Sequence, residues 1–371
     1  MPKVCPRCGY VNDDLSIICS KCGYHFPETR HDYQYYFPKK KKRNLPIISV
    51  VILTIVLLGI GGFLLYKNSV NTVRVPISSS VPAISYTPIS LLKYQGCAIS
   101  FNGVDQYFIT PIFYIKDNGE NVPVGLFSYV AMEYKAETIA IRAYLTPNTR
   151  GVLIGLSKDT LPFNPPKSGW SPLVYISHGK LIIADISNNS LGSLQAFLPI
   201  KPFKLVKTGI GQPIPTPNGG EAAMCVSINK PGFYWVLFQE WSADGMTYIA
   251  GYINGELIAE FCAPFTDASS LFGEIGPYKY NFVGVAFTKQ WPQTNYQWYP
   301  FKGYINSIVV YPSLLSKSQM YQLGNGTIPG GYIAAFIASS SYYNQKSGVW
   351  YAYNNTQLGL IAVGNPCVAS V

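Results

Sequence analysis

Four cysteines near the amino terminus have the residue type and spacing of a metal site. Cys5 and Cys8 form one Cys-x2-Cys pair. Cys19 and Cys22 form a second pair after ten intervening residues. A glycine follows each pair and permits the tight turn that lets amide groups approach the sulfurs. Four thiolates are typical of a closed structural zinc site, so the sequence predicts one Zn²⁺ held by all four, with a single iron ion as the alternative metal.

Residues 4–24 resemble the short zinc-ribbon family, found at the termini of many microbial proteins. The resemblance implies a small unit, residues 1–26, whose folding depends on its metal. It does not specify a task. Lys3, Arg7 and Lys21 are the only basic residues of this unit, too few to indicate a nucleic-acid surface. We expect a partner-binding or stabilising role.

The segment KQWPQTNYQWYPF, residues 289–301, concentrates aromatic side chains that could bind a sugar. The aromatic candidates, which have Gln and Asn among them, are Trp291, Tyr296, Trp298 and Tyr299. Aromatic rings stack on sugar faces, and neighbouring amides hydrogen-bond to sugar hydroxyls. The alternative is that these rings pack onto the edge of a sheet. Residues 339–355, SSSYYNQKSGVWYAYNN, are a second, weaker candidate.

Paired carboxylates would indicate glycoside hydrolysis, because retaining glycosidases need two carboxyl groups about 5–5.5 Å apart. On one strand, acids at i and i+2 or i+4 point to the same face. The closest pairings after residue 68 are Glu133 with Glu137, Glu240 with Asp244, and Glu256 with Glu260. The second pair straddles a predicted turn, and the third fits the solvated face of a strand. We therefore predict no catalytic residues and keep glycoside hydrolysis only as a third alternative.

A long apolar segment would determine on which side of a membrane each of these candidate sites lies. Ile47–Leu65 is nineteen residues without a charge, and as a helix it would span about 28 Å, close to the thickness of a bilayer core. It is too long for a signal-peptide core and has no cleavage signature. The basic cluster Lys39–Arg43 precedes it, which places the amino terminus in the cytoplasm. We predict a basic cytoplasmic linker at 27–44 and a single transmembrane helix at 45–66, which puts the rest of the chain outside the cell or on a viral envelope.

Charge, sequons and cysteines are consistent with this division. Residues 1–67 carry ten Lys and Arg against four Asp and Glu, so they hold +6 of the net charge of +10. The basic character therefore reflects topology more than a nucleic-acid surface. The predicted outer part carries three glycosylation sequons: Asn188, Asn325 and Asn354. It also carries four cysteines that can be oxidised there: Cys97, Cys225, Cys262 and Cys367. These four allow three disulfide pairings, and their spacing does not choose among them.

Beyond the span, the sequence predicts a stalk and then a β-rich domain. Residues 67–90 are rich in Ser and Pro and read as an extended stalk. From residue 91, short β-branched and aromatic runs are bounded by Gly, Pro or Asn, and TIAIRAYLTP (138–147) alternates in polarity. Asn254-Gly255 between two apolar runs predicts a hairpin. A helix is predicted only near 316–323, with Ser316 as its cap. Many short strands favour a mainly β sandwich or jelly roll.

Four segments resemble, in order, the laminin G-like branch of the concanavalin A-like lectin and glucanase superfamily. GCAISFNGVDQYFIT is similar to its opening strand, ETIAIRAYLTP to its next core strand, and FYWVLFQEWSADGMTYIAGYINGELI to its central hairpin. FKGYINSIVVYPSLLSKSQMYQL is similar to its closing block. The central-hairpin motif falls on Trp235, Tyr252, Asn254 and Gly255. The resemblance implies a concanavalin A-like β-sandwich over 91–371, yet no acid set matches the Glu-x-Asp-x-x-Glu pattern of the glucanases, and no clustered Asp or Asn motif indicates calcium.

The chain departs from that pattern in two places. Residues 191–231 form a Pro- and Gly-rich insertion. Residues 348–366 follow the closing helix but resemble a strand that normally precedes the opening one. The resemblance therefore implies that the carboxyl terminus completes the sheet and brings Cys367 near Cys97, which makes these two the preferred disulfide.

Together these features predict a single-pass, membrane-anchored surface protein with a structural Zn²⁺. Its extracellular, lectin-like sandwich is expected to bind a glycan or a protein partner in adhesion or recognition. The alternative is a structural envelope component of a cell or a virus particle.

Overall fold

A computed structural model describes residues 3–4, 11–12, 75, 77–78, 82–117, 119–164, 170–184, 204–214, 223–264, 278–288, 291–294 and 298–371. The chain divides into two compact units, Met1–Thr72 and Val73–Val371. In the first unit, β1 (Lys3–Val4) pairs antiparallel with β2 (Val11–Asn12). The predictions for the four amino-terminal cysteines, the apolar span, Tyr296 and Asn188 fall outside the described residues and stay predictions.

Within the described ranges, no helix is both long and apolar enough to cross a membrane. Within the same ranges, no three His, Cys, Asp or Glu side chains come together as a possible metal site.

The second unit consists mainly of short strands. In chain order they are β3 (Ile89–Ser90), β4 (Cys97–Asn102), β5 (Tyr107–Ile109), β6 (Ile112–Asp117), β7 (Glu120–Gly125), β8 (Ala136–Leu145), β9 (Gly151–Ser157), β10 (Trp170–Ser177), β11 (Lys180–Ala184), β12 (Lys204–Thr208), β13 (Gln212–Ile214), β14 (Ala223–Ser227), β15 (Gly232–Ala243), β16 (Met246–Ile253), β17 (Glu256–Pro264), β18 (Tyr280–Val283), β19 (Lys302–Tyr311), β20 (Thr327–Ile328), β21 (Ala334–Ile337), β22 (Tyr343–Asn344), β23 (Val349–Ala352), β24 (Asn355–Val363) and β25 (Cys367–Ser370). The helices are α1 (Leu126–Tyr134) and α2 (Lys317–Gly324), with a 3-10 turn at Leu92–Tyr94.

Most of these strands form two antiparallel sheets, while β6 pairs with β7 and β3 with β20 as separate two-stranded units. Sheet A has the order β12-β17-β16-β15-β8-β19-β4-β25. Sheet B has the order β22-β23-β24-β5-β18-β9-β10-β11-β14-β13. Strand β21 pairs with both β19 and β23 and joins the two sheets at one margin.

The sheets pack face to face around one large core. Ile141 and Phe238 of sheet A share a buried cluster with Phe108 and Ile183 of sheet B. The ring of Phe101 in β4 meets that of Phe108 in β5 edge-on, with centroids 5.8 Å apart. Alternate residues along each strand face this core, as the two-residue period of a strand requires. The predicted mainly β sandwich is confirmed at this level.

Two local predictions are confirmed. Asn254 and Gly255 have φ angles of 49° and 84° and join β16 to β17 as a two-residue hairpin, the geometry a type I′ turn requires. Helix α2 begins after Ser316, whose Oγ accepts a hydrogen bond from the Gln319 amide at 3.3 Å. The Gln319 side chain in turn accepts from the Ser316 amide at 2.9 Å, which completes a capping box.

Helix α1 is not foreseen in the sequence, and its capping explains why. Its residues from Leu126 to Met132 are buried, so it has no polar face that would mark a helical period. The N-cap residue of α1 is Gly125, which has no side chain that could accept a hydrogen bond from the first turn. The amides of Leu126 and Ser128 donate instead to Thr110 Oγ1 and Asn281 Oδ1, each at 3.0 Å. Those acceptors lie 16 and 153 residues away in sequence, beyond the reach of a local capping signal.

The carboxyl terminus completes both sheets, as the resemblance implied. Strand β24 pairs with β5, and β25 pairs with β4. The stalk, however, is shorter than the predicted 67–90. Ile89 is 4% exposed, and β3 pairs with β20, so residues 82–90 include part of the folded unit.

The predicted Cys97–Cys367 disulfide does not form. Cys367 lies opposite Ser100, and Cys97 lies opposite Ser370, three residues away along the same pair of strands. An odd offset also turns the two side chains to opposite faces of the sheet, and bridging requires Cα atoms closer than about 7 Å. All four cysteines of the described part carry free thiols.

Candidate functional site

The predicted aromatic loop is only partly available to a ligand. Trp291 is 2% exposed and packs edge-on against the ring of Tyr175, with centroids 6.2 Å apart. Its ring belongs to a small hydrophobic cluster with Val152 and Ile182. A buried ring cannot present a face to a sugar, so Trp291 follows the packing alternative. The physical reason is the apolar outer surface of β9 and β11, which this ring covers.

Trp298 and Tyr299 are half-buried. The Trp298 ring lies 5.4 Å from that of Phe287, and its Nε1 donates to the backbone oxygen of Asn164 at 3.1 Å. Tyr299 lines a pocket together with Arg150 and His178. A ligand-binding role for these two residues stays a prediction.

The two described sequons differ in accessibility. Asn325 is exposed at the end of α2. The carboxamide of Asn354 instead holds two backbone groups, because its Nδ2 donates to Ile333 O at 2.9 Å and its Oδ1 accepts from the Ala335 amide at 3.3 Å. Glycosylation of Asn354 would have to add a sugar to a part-buried carboxamide that already holds two backbone groups.

A carboxyl pair lies inside the sandwich, and it is not one of the pairs considered from sequence. Glu137 in β8 lies directly opposite Glu240 in β15, and both are fully buried. Neither carboxyl oxygen of Glu137 has a hydrogen-bond partner. Burial, and next the nearby Glu240, raises the pKa of Glu137 well above its usual range, which favours the neutral acid. The alternation of β8 could have signalled this, because Glu137 shares its face with Ile139.

This pair faces the core and not the solvent. Ile139 and Phe238, two residues along from Glu137 and Glu240 on the same faces of their strands, belong to the central cluster. The remaining acids are dispersed: Glu133 is exposed on α1, Asp244 lies in a turn, and Glu256 is exposed on β17. The carboxyl groups are therefore not arranged across an open cleft in the described part of the chain.

The outer face of sheet A presents a row of aromatic rings. Phe233 in β15 lies opposite Tyr144 in β8, and Tyr144 lies opposite Tyr304 in β19. The Tyr144 ring packs edge-on against the rings of Phe233 and Tyr304, with ring centroids 5.4 and 6.3 Å apart, respectively. All three are half-buried. Because residues that face each other across strands share one face of a sheet, the row forms a continuous ridge on three adjacent strands.

A groove of about 420 Å³ opens beside this ridge. Tyr144 and Tyr304 form its apolar wall. Its polar lining is Ser100, Asn102, Thr146, Asn148, Thr149 and Lys302. Asn148 and Lys302 are exposed, so their amide and ammonium groups can reach a ligand. Asn102 is also exposed, but its Nδ2 donates to Asp105 Oδ1 at 2.7 Å, so it offers a ligand only its remaining N–H. We call this cavity the outer groove.

Contacts of Arg142, which lies on the same face of β8 as Tyr144, hold one end of the ridge in place. The Arg142 guanidinium lies 4.4 Å from the centre of the Phe233 ring, a cation–π distance. Its Nη1 donates to Asn306 Oδ1 at 3.1 Å, and Asn306 Nδ2 donates to the backbone oxygens of Tyr94 and Cys97 at 2.8 and 2.6 Å. Partial burial lowers the pKa of Arg142 from its ordinary value. This network holds the Phe233 end of the ridge against the sheet.

A glycine at the edge of the groove permits a close approach of two chain segments. Gly151 has φ of 107°, and a Cβ there would lie 2.3 Å from the backbone of Pro300 and Phe301. Because glycine has no Cβ, the start of β9 can approach the segment that leads into β19. The result is a backbone hydrogen bond from Lys302 N to Arg150 O at 2.8 Å.

Sequence reasoning missed the ridge. The alternation in TIAIRAYLTP places Tyr144 on the face opposite Ile139 and Ile141, which is correct. Its neighbours Phe233 and Tyr304 lie about 90 and 160 residues further along the chain. Only the register of β15 and β19 against β8 brings the three rings together.

Comparison with known proteins gave structural neighbours alone. No protein-family model matches the sequence, and no curated protein matches it. One solved neighbour is a candidate carbohydrate-binding protein from Bacteroides ovatus, with 12% identity over 75% of this chain and a TM-score of 0.40. The alignment spans 60% of that protein.

Two further neighbours are more distant. The CBM40 domain of the Ruminococcus gnavus IT-sialidase, bound to alpha2,3 sialyllactose, has 13% identity over 65% of this chain and 99% of its own, with a TM-score of 0.33. The enzymatically active domain of tailspike protein 2 from bacteriophage CBA120 has 10% identity over 72% of this chain and 35% of its own, with a TM-score of 0.31. TM-scores of 0.40 and lower are too low to establish a shared fold.

Proposed function

We propose that this chain is a membrane-anchored surface protein whose β-sandwich binds a glycan in the outer groove. One observation carries the proposal: Tyr144 and Tyr304, two rings of the ridge, form the apolar wall of an open groove lined by amides and hydroxyls. Sugar rings have apolar faces and polar edges, and a wall of aromatic rings beside such groups complements both.

The size and rigidity of the groove support the proposal. A volume of about 420 Å³ lies within the range of small-molecule sites in proteins, roughly 300–1,000 Å³. Its walls are the neighbouring strands β4, β19 and β8, which are paired in antiparallel register. Binding would therefore require little ordering of the backbone, which lowers its entropic cost.

The first experiment is a screen of the full-length chain against an array of neutral and acidic glycans. Affinity for the strongest ligand is then measured for Tyr144→Ala and Tyr304→Ala. Loss of one stacked ring costs about 0.5–1.5 kcal/mol beyond area burial, or roughly three- to tenfold in Kd.

Tyr86→Ala is the matched control. Tyr86 is 75% exposed and does not line the outer groove, so its removal should leave Kd unchanged. The melting temperature of each variant is measured in parallel, which separates lost contact from lost folding. Unchanged binding by both groove variants, with intact folding, would refute the proposal and favour the structural envelope role.

The anchor and the zinc site belong to the same proposal and are supported by the sequence. Lys39–Arg43 before Ile47–Leu65 supports an orientation with the amino terminus inside. Protease added to intact cells should remove the sandwich and leave a membrane-held fragment that contains Cys5 to Cys22. Full protection of the sandwich would contradict this orientation.

A further inference from the structure

A second pocket adjoins the outer groove. It has a volume of about 350 Å³ and is lined by Arg150, His178 and Tyr299 among others. Asn148 and Thr149 line both cavities, so they form the boundary between them.

The boundary is a tight, internally bonded turn. The Thr146 amide donates to Thr149 Oγ1 at 2.8 Å, and the Thr149 amide donates to Thr146 O at 3.0 Å. The Asn148 amide donates to Thr146 Oγ1 at 3.2 Å. These bonds hold the turn in one conformation. Because Asn148 and Thr149 line both cavities, one extended ligand that contacts this turn can reach into each cavity.

Each cavity carries one exposed cation at this boundary. Lys302 lines the outer groove and Arg150 lines the second pocket. The two residues lie opposite each other in an isolated antiparallel bridge, where side chains leave the same face with Cβ atoms about 5 Å apart and like charges repel. Among the described residues that line the two cavities, there is no Asp or Glu to offset them.

We infer that the glycan is acidic and that a carboxylate or sulfate group of it binds between Lys302 and Arg150. This inference rests on the proposed function. An anion placed there relieves the repulsion between the two cations. The planar Arg150 guanidinium can hold a carboxylate or sulfate through two hydrogen bonds, while the Lys302 ammonium acts as a point charge. The sugar rings on either side then reach Tyr144 in one cavity and Tyr299 in the other.

The test compares two probes that share one backbone. Oligogalacturonate carries a carboxylate on each sugar, and its fully methyl-esterified form is neutral. Both are titrated into the full-length chain, and sulfated and unsulfated forms of one oligosaccharide make a second matched pair. We expect an acidic probe to bind at least tenfold more tightly than its neutral partner, and its Kd to rise with salt.

Substitutions of the two cations test whether they bind the anionic group of the ligand. Lys302→Ala and Arg150→Ala should each weaken binding of the acidic probe roughly three- to tenfold, and should weaken binding of the neutral probe by a smaller factor. Lys346→Ala, at an exposed lysine that lines neither cavity, is the control and should change neither.

The outcomes distinguish this inference from the proposed function. If neutral glycans bind as tightly as acidic ones and need Tyr144, the proposed function stands and the acidic ligand is wrong. If the acidic preference is present but survives both cation variants, the anion binds elsewhere and the inference is also wrong. If no glycan of either kind binds, both fall.

Discussion

The two faces of sheet A are built by the same strands and differ in how far their side chains are buried. On the inner face, Ile141 of β8 and Phe238 of β15 are buried in the main core. On the outer face, Leu237 is buried under α2, whereas Tyr144 and Phe233 stay half-exposed at the other end. Because neighbouring residues of a strand alternate between faces, core residues and the residues of the proposed binding surface occupy interleaved positions at the Tyr144 end of the sheet. At this end, a substitution on the inner face should mainly lower stability, and one on the outer face should mainly weaken the proposed glycan binding.

The largest expected effect separates the faces by stability. Phe238→Ala removes a ring that is 1% exposed and should lower the free energy of unfolding by about 3–5 kcal/mol. Tyr304→Ala on the outer face removes a half-buried ring and should cost less than half as much. Urea denaturation of both variants measures the difference. Equal losses would show that the ridge is part of the core and not a surface.

The second prediction concerns the one ionisable pair on the inner face. The pKa of Glu137 is raised by burial and by Glu240, so its contribution to stability is fully present below its unfolded pKa, near 4.3. That contribution is lost as the pH rises through the higher folded value, at about 1.4 kcal/mol for each unit between the two.

Glu137→Gln stays neutral at every pH and should remove this dependence. Thermal unfolding from pH 4 to pH 8 should therefore show a gain in stability for the variant over the parent that grows with pH. Glu133→Gln, at an exposed acid on α1, is the control. A variant that loses stability relative to the parent as the pH rises would mean that Glu137 is ionised and stabilised in the fold.

The third prediction concerns helix α2, which shares a buried cluster with the outer face of sheet A. Ser316→Ala removes the capping box of α2 and should cost about 1 kcal/mol of stability, because α2 carries Met320 and Leu323 onto Leu237. Ser340→Ala, at an exposed serine outside any helix, should have almost no effect. Chemical denaturation compares the two. Glycan affinity should hardly change, since α2 does not line the outer groove.

Sequence reasoning succeeded where the signal is local. The two-residue period of β8, the Asn254-Gly255 turn and the Ser316 cap each depend on residues within a few positions of one another, and all are present. It failed where the partner is distant. Helix α1 depends on Thr110 and Asn281 for its caps, and the aromatic ridge depends on the register of three strands.

The aromatic loop shows the limit of composition. Residues 289–301 have the content of a sugar platform, yet Trp291 is needed to cover an apolar patch and is buried. Composition identifies which side chains favour a sugar, whereas exposure is decided by packing. The residues of the outer groove are less conspicuous in sequence because they are shared among β4, β8 and β19.

The most direct test of the account is the position of a bound oligosaccharide in a crystal of the complex. We predict that one sugar ring lies in van der Waals contact with Tyr144 or Tyr304, and that its hydroxyls hydrogen-bond to Asn102 or Asn148. A sugar found on another surface, for example beside Trp298, with the outer groove empty, would contradict the claim that this face of sheet A is the recognition surface.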